Sequence, residues 1–204
     1  MPAVLGTGRL EAFSDGVLAI IITVMVLELH VPEHGKNSLG DLVDTAGVGL
    51  LTYLLSFVYV GIYWSNHHHL FQIVDYVDGS VLWANLHLLF WLSLYPFSTA
   101  WLDESKVALT PTVVYGVNLL GAALAYYVLV FRMIRVPGTG DRVREVIGRD
   151  LKGKLSPVIY LTGIALAFVE PRLGLVPFVV VALIWLVPDK RVERYLTEHH
   201  QGVG

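Results

Sequence analysis

The stretch "RLEAFSDGVLAIIITVMVLEL", residues 9–29, decides how this chain is read. Its run of aliphatic residues is that of a membrane-spanning helix, yet Arg9, Ser14 and Asp15 stand in its first turns, where charge is costly to hold away from water. The rest of the chain agrees with a membrane setting. Of 204 residues, 55% are hydrophobic and only 15% charged, with a mean hydropathy of +0.63, too apolar for a water-soluble domain of this length. The expectation is an all-α integral membrane protein, residues 1–204 forming one helical bundle. The first apolar run leads into "ELHVPEHG" rather than a small-residue cleavage site, so it is expected to be retained. There is no cysteine, hence no disulfide framework and no thiolate metal site.

Outward from this stretch, apolar runs bounded by charge, Pro or Gly fall at about 9–31, 44–66, 80–102, 111–134, 155–169 and 173–187. The first four are long enough to span. The last two have roughly 15 apolar residues each, against the ~20 a hydrocarbon core asks for, and fit either a thin hairpin of two spans or a re-entrant pair. With the N-terminus inside, eleven of the 14 basic residues fall on the cytoplasmic side: Arg9, then Arg132, Arg135, Arg142, Arg144, Arg149, Lys152 and Lys154, then Lys190, Arg191 and Arg194. Only Lys36, Lys106 and Arg172 fall opposite, so the positive-inside rule puts both termini in the cytoplasm. The basic stretch 132–154 is read as a topology-setting loop rather than a nucleic-acid or anionic-lipid site. Trp64, Trp83, Trp101 and Trp185 lie near span ends, as interfacial anchors do.

At about 100° per residue, Arg9, Phe13, Gly16, Ile20, Thr23, Leu27 and His30 form one stripe along the first helix. Spacing alone fits a buried packing seam as well as a pore wall. What favours a pore wall is the order of side chains, a single hydroxyl at Thr23 between the aliphatic Ile20 and Leu27. Ser14 and Asp15 lie off the stripe and should point at neighbouring helices. Asp15 is about 9 Å deeper than Arg9. Asn85 and His87 on the third span, and His67 and His68 at the end of the second, are donors at similar depth, and some of them are expected to hold Ser14 and Asp15 as a polar clamp. The alternative is a proton relay through Asp15 and the histidines, in a proton-conducting or proton-coupled transporter.

Eight histidines also raise a metal-dependent, histidine-box enzyme, with "HVPEH" and "HHH" as ligand sets. Topology opposes it, because His30 and His34 fall outside and His67, His68 and His69 inside, about 30 Å apart. No GxSxG, HExxH or P-loop occurs, and "GTGD" at 138–141 has no strand before it. The chain is read as a non-enzyme with no cofactor or metal.

The combination of Arg9, Phe13, Ser14 and Asp15 as "RxxxFSD", "YWSNHHHLF" at 63–71 and "ANLHLLFWLSLYPFST" at 84–99 resembles the potassium channel family whose animal members sit in endosomes and lysosomes, in its single-repeat prokaryotic form. The resemblance runs over roughly residues 5–200. It implies six helices per repeat, no TVGYG filter, and a homotetramer in the lipid bilayer whose first helices line the pore. It further implies that Ile20 forms the narrowest apolar ring, Thr23 a ring contributing to selectivity among monovalent cations, and Leu27 a further apolar layer. The Arg and FSD residues would stabilise the cytoplasmic end of the pore helix. A passage of this kind, apolar and weakly polar by turns, would prefer K+ over Na+ without strong discrimination. Glu28, Glu33, Asp41 and Asp44, near the outer end, are read either as raising the local cation concentration or as ordinary solvated loop charge.

Overall fold

Caps and prolines divide the apolar chain into helices. The computed structural model describes residues 5–32, 38–74, 76–138, 140–147 and 151–187. Along them run α1 (Gly8–Leu27), α2 (Leu39–Gln72), α3 (Gly79–Ser93), α4 (Tyr95–Glu104), α5 (Leu109–Met133), α6 (Gly140–Ile147), α7 (Leu151–Ala167) and α8 (Pro171–Leu186). Two dipeptide strands, β1 (Leu5–Gly6) and β2 (Tyr76–Val77), pair antiparallel and tie the start of α1 to the α2–α3 connection. The all-α class therefore holds, with one small β pairing that the sequence pattern did not signal. Glu33, His34, Lys36, Arg149, Lys190, Arg191 and Arg194 lie outside the described residues.

Ser38 starts α2 with a capping box: its hydroxyl accepts from Asp41 N–H at 3.1 Å, and the Asp41 carboxylate accepts from Ser38 N–H at 2.9 Å. Asp41, expected as mouth charge or solvated loop charge, is thus committed to a helix start. At 34 residues α2 is about 51 Å long, well beyond the ~30 Å of hydrocarbon. It continues past the expected end at residue 66, which leaves His67, His68 and His69 on a continuous helix.

The third apolar run folds as two helices, α3 and α4. Pro96 has no N–H to give, and its ring excludes the carbonyl of residue 92, so α3 ends and α4 begins at Leu94. At the far end of α4 the chain reverses through Lys106 (φ 52°) and Val107 (φ 66°). Val107 N–H reaches Leu102 O at 3.0 Å and Lys106 N–H reaches Asp103 O at 2.8 Å, the paired closure of a Schellman motif. A β-branched residue in the left-handed region costs roughly 1–2 kcal/mol, which the surrounding packing must offset.

Helix α5 is the centre of the bundle and packs against α3, α4, α7 and α8. Glycines let large rings approach: a Cβ at Gly121 would collide with the Trp91 indole, and one at Gly116 with Phe178. The last two apolar runs form the antiparallel hairpin α7–α8, drawn together where Gly163 and Gly174 face each other's backbone. At 17 and 16 residues they are about 25 Å long. Helices α1, α2 and α5 are long and apolar enough to cross a membrane, and α8 is a shorter apolar helix. Between α5 and α7 the basic stretch holds the short α6.

Candidate pore wall and its polar anchor

Helix α1 leans on α2, α3 and α4 with one side only. Leu10, Ser14, Leu18, Ile21 and Met25, spaced four, four, three and four apart, are buried in the bundle. The opposite stripe, Arg9, Phe13, Gly16, Ile20, Thr23, Leu27 and His30, is exposed at every position. Phe13 is 53% exposed, Ile20 63% and Leu27 81%, large apolar side chains left open by the described residues. Thr23 donates its hydroxyl hydrogen back to its own helix, to Ile20 O at 2.9 Å and Ala19 O at 3.1 Å. With the hydrogen turned inward, the oxygen's remaining lone pair is left for the open side.

The buried face carries the first part of the anchor. Ser14 donates to Leu10 O at 2.8 Å, so its oxygen accepts from the Asn85 amide nitrogen at 2.9 Å. The other end of Asn85, its Oδ1, can only accept, and it meets His67 Nε2 at 2.8 Å. His67 is therefore the Nε2–H tautomer. Its Nδ1 is buried without a partner among the described residues, and the ring stacks on Phe71 at 4.3 Å. Ser14, Asn85 and His67, one each from α1, α3 and α2, form a closed line of hydrogen bonds with 1% exposure or less.

Asp15 has a different partner from those expected: its carboxylate accepts from the Trp64 indole N–H at 3.1 Å. His68 turns to Glu11, with Nδ1 2.9 Å from the carboxylate, and its Nε2 accepts from the Gln72 amide nitrogen at 2.8 Å. The Trp64 and His68 rings are stacked, 10° apart. His87 is not part of the anchor; it is exposed on α3 and accepts from Trp91 Nε1 at 3.0 Å. Arg9 and Phe13 are exposed at the start of the stripe. Glu11 and the donor role of Trp64 were missed in the sequence. A signal for both was present: Glu11 and Asp15 are four apart on α1, as Trp64 and His68 are on α2, so two facing ladders match rung for rung.

Beyond the C-terminal end of α1, the chain comes near α4. His30, last of the stripe, lies 3.8 Å from the buried Asp103 carboxylate, which Lys106 approaches to 3.4 Å. Asp103 fits there because α2 presents Gly49, where any Cβ would strike the carboxylate. Among the described residues no group of three His, Cys, Asp or Glu side chains is placed to hold a metal ion.

Residues 9–96 match the family described as endosomal/lysosomal potassium channel TMEM175. A protein named as a potassium channel from Chryseobacterium sp. is 51% identical over 193 residues, covering 94% of this chain and 98% of its own length. The crystal structure of a TMEM175 homologue from Chamaesiphon minutus, titled a lysosomal potassium-selective channel, superposes with a TM-score of 0.73 at 31% identity over 89% of this chain and 96% of that one. Chicken TMEM175, named as an endosomal/lysosomal proton channel, is 32% identical over 135 residues, which is 64% of this chain and 25% of the chicken protein. With the fold and near-complete coverage by a relative of one-half identity, this chain belongs to the TMEM175 family of potassium channels.

Proposed function

We propose that the chain is a potassium-preferring cation channel of the bilayer, a homotetramer whose four α1 helices surround the ion path. The observation that carries this reading is the division of α1 into a face packed on its own subunit and a mainly apolar stripe that the described residues leave exposed. An open groove of about 880 Å³ beside that stripe, lined by Ile20 and Val24 of α1 and by Phe97 and Trp101 of α4, offers a seat for the neighbouring copy's α1. The passages would be α1, α2, the kinked α3–α4 pair, α5, α7 and α8, six in all, with both termini in the cytoplasm.

Around such an axis four Ile20 side chains make an apolar constriction that excludes water when narrow, and four Leu27 make a second layer. Between them the Thr23 oxygens, with their hydrogens held by Ile20 and Ala19 carbonyls, present acceptors to a partly dehydrated cation. K+ gives up its hydration more readily than Na+, so this passage prefers K+ with modest selectivity. The Ser14–Asn85–His67 line and the Trp64–Asp15 bond hold the inner end of α1 at a set tilt and rotation, and the His30–Asp103 tie holds the outer end. Both therefore control the width of the ring at Ile20.

A proton-conducting reading is favoured by the name of the chicken relative. The hydrogen-bond line at α1 does not serve it, because Asn85 sits in the middle of that line and a neutral amide does not readily pass a proton on. Reversal potentials of the purified protein in liposomes decide between the two. A shift with the K+ gradient and little response to the pH gradient is expected; the opposite pattern would sink the potassium reading.

A further inference from the structure

Helix α7 packs on α5 and α8 and diverges from α2, leaving a cavity of about 190 Å³ at the end of the bundle that carries Arg132 to Lys154. Its inner limit is the Tyr59–Tyr160 contact, with ring centroids 6.2 Å apart. Lys154 stands at its mouth, six residues or about 9 Å along α7 from Tyr160. The ion path proposed at α1 uses none of these residues.

The lining is polar by name and apolar by what it presents. Tyr59 donates to Phe178 O, and the Tyr160 ring packs beside the Tyr59 ring. Tyr126 donates to Asn66 O at 3.4 Å. Ser156 donates to Lys152 O at 2.8 Å and accepts from Trp185 Nε1 at 2.9 Å. With these hydroxyls engaged, and with Ile62, Ala123, Val130 and Ile134 completing the wall beside Tyr63 and Tyr127, the cavity offers mainly ring faces and aliphatic surface, suited to an apolar chain more than to a polar solute. Lys152 donates to Val187 O at 2.8 Å. Lys154, by contrast, pairs with no carboxylate among the described residues. An apolar slot with an unpaired ammonium at its mouth, at a membrane end crowded with arginine, is complementary to one kind of molecule.

We propose that this cavity binds one acyl chain of an anionic phospholipid from the adjoining leaflet, with the lipid phosphate on Lys154 and the chain against Tyr63, Tyr126 and Trp185. The site rests on the membrane placement of α5, α7 and α8 proposed above and not on ion conduction. A bound lipid would wedge α7 from α2 and set the spacing of the two outer layers of the subunit.

Trp185 reports on the site. The full chain is reconstituted in phosphatidylcholine vesicles containing, at equal mole fraction and matched ionic strength, either phosphatidylglycerol or phosphatidylcholine brominated on one acyl chain. Quenching of Trp185 is read as the difference between the wild type and Trp185→Phe. Phosphatidylglycerol is expected to act with about five-fold higher apparent affinity, the factor one lysine contributes near an anionic surface. Lys154→Ala removes that preference, and Ala123→Leu, which fills the cavity from α5, lowers quenching by both lipids. Equal quenching by the two lipids, a preference that survives Lys154→Ala, or relief of quenching by soluble glycerol phosphate would each overturn the proposal. Lys154-dependent quenching in a protein that carries no potassium flux leaves this site standing while removing the channel reading.

Discussion

The Trp64 indole N–H points from α2 to the Asp15 carboxylate of α1 at 3.1 Å, one rung above the His68–Glu11 contact at 2.9 Å. The carboxylate in the first turns of an otherwise apolar helix is thus held from the side by an aromatic donor. Together these bonds fix how α1 is rotated, and therefore which residues make up its open stripe. A charged acceptor strengthens a hydrogen bond, so Asp15→Asn and Trp64→Phe should each cost about 1.5–3 kcal/mol. Thermal melting in detergent, read with tetramer content by gel filtration, should fall for both. The double variant should lose little beyond either single one. Full additivity would show that the two side chains act apart.

Asn85, on α3, bonds both Ser14 of α1 and His67 of α2. Replacing it with Leu strands the His67 Nε2–H and the Ser14 oxygen in a dry interior, a penalty of about 1–3 kcal/mol for each group left unpaired. The expected outcome is a sharp fall in melting temperature, with Asn85→Leu worse than Ser14→Ala. Wild-type stability in Asn85→Leu would mean that the line contributes nothing net.

At the constriction, Ile20→Asn places four amides where four aliphatic side chains would exclude water. Single-channel conductance should rise several-fold, with the reversal potential moving toward the nonselective value. Unchanged permeation takes Ile20 out of the narrow ring.

Thr23 separates a hydroxyl effect from a size effect. Thr23→Ser keeps the oxygen and should retain K+ preference, whereas Thr23→Val keeps the shape, loses the acceptor and should reduce the K+-to-Na+ permeability ratio. Equal ratios in Ser and Val variants would assign the preference to width alone.

Asp78 caps α3, accepting from Ser80 N–H at 2.9 Å, the Ser80 hydroxyl at 2.7 Å and Val81 N–H at 3.0 Å. The Ser80 hydroxyl first, then the Val81 and Ser80 N–H groups and the nearby Arg132, hold its carboxyl below the ordinary aspartate value. A depressed folded pKa stabilises fully above the unfolded value of about 3.9 and is lost as pH falls through the folded one. Asp78→Ala should therefore cost about 0.5–2 kcal/mol at neutral pH. In acid unfolding the gap between variant and wild type should close only below the ordinary aspartate range. A gap that stays constant throughout would assign the loss to something other than the charged cap.

The amphipathic division of α1 is legible in the order of its residues, because a helix of fixed pitch converts spacing into faces: Ile20, Thr23 and Leu27 must share a side, and Ser14 must look elsewhere. The apolar runs are legible for a similar reason, since hydrocarbon sets the length a helix must present. What spacing does not contain is the rotation of one helix against another. That Asp15 meets Trp64 rather than a histidine, that His87 turns to Trp91, and that His30 reaches Asp103 all follow from how α1 is packed on α2, α3 and α4. The break at Leu94 is foreshadowed by Pro96, but its direction is not. The glycines at 49, 116, 121, 163 and 174 let particular side chains and backbones close in, which only the packed bundle reveals. Local sequence determined which surfaces each helix owns, because those depend on backbone geometry alone; the tertiary structure decided which surfaces meet, because that choice is made by the joint packing of all the helices at once.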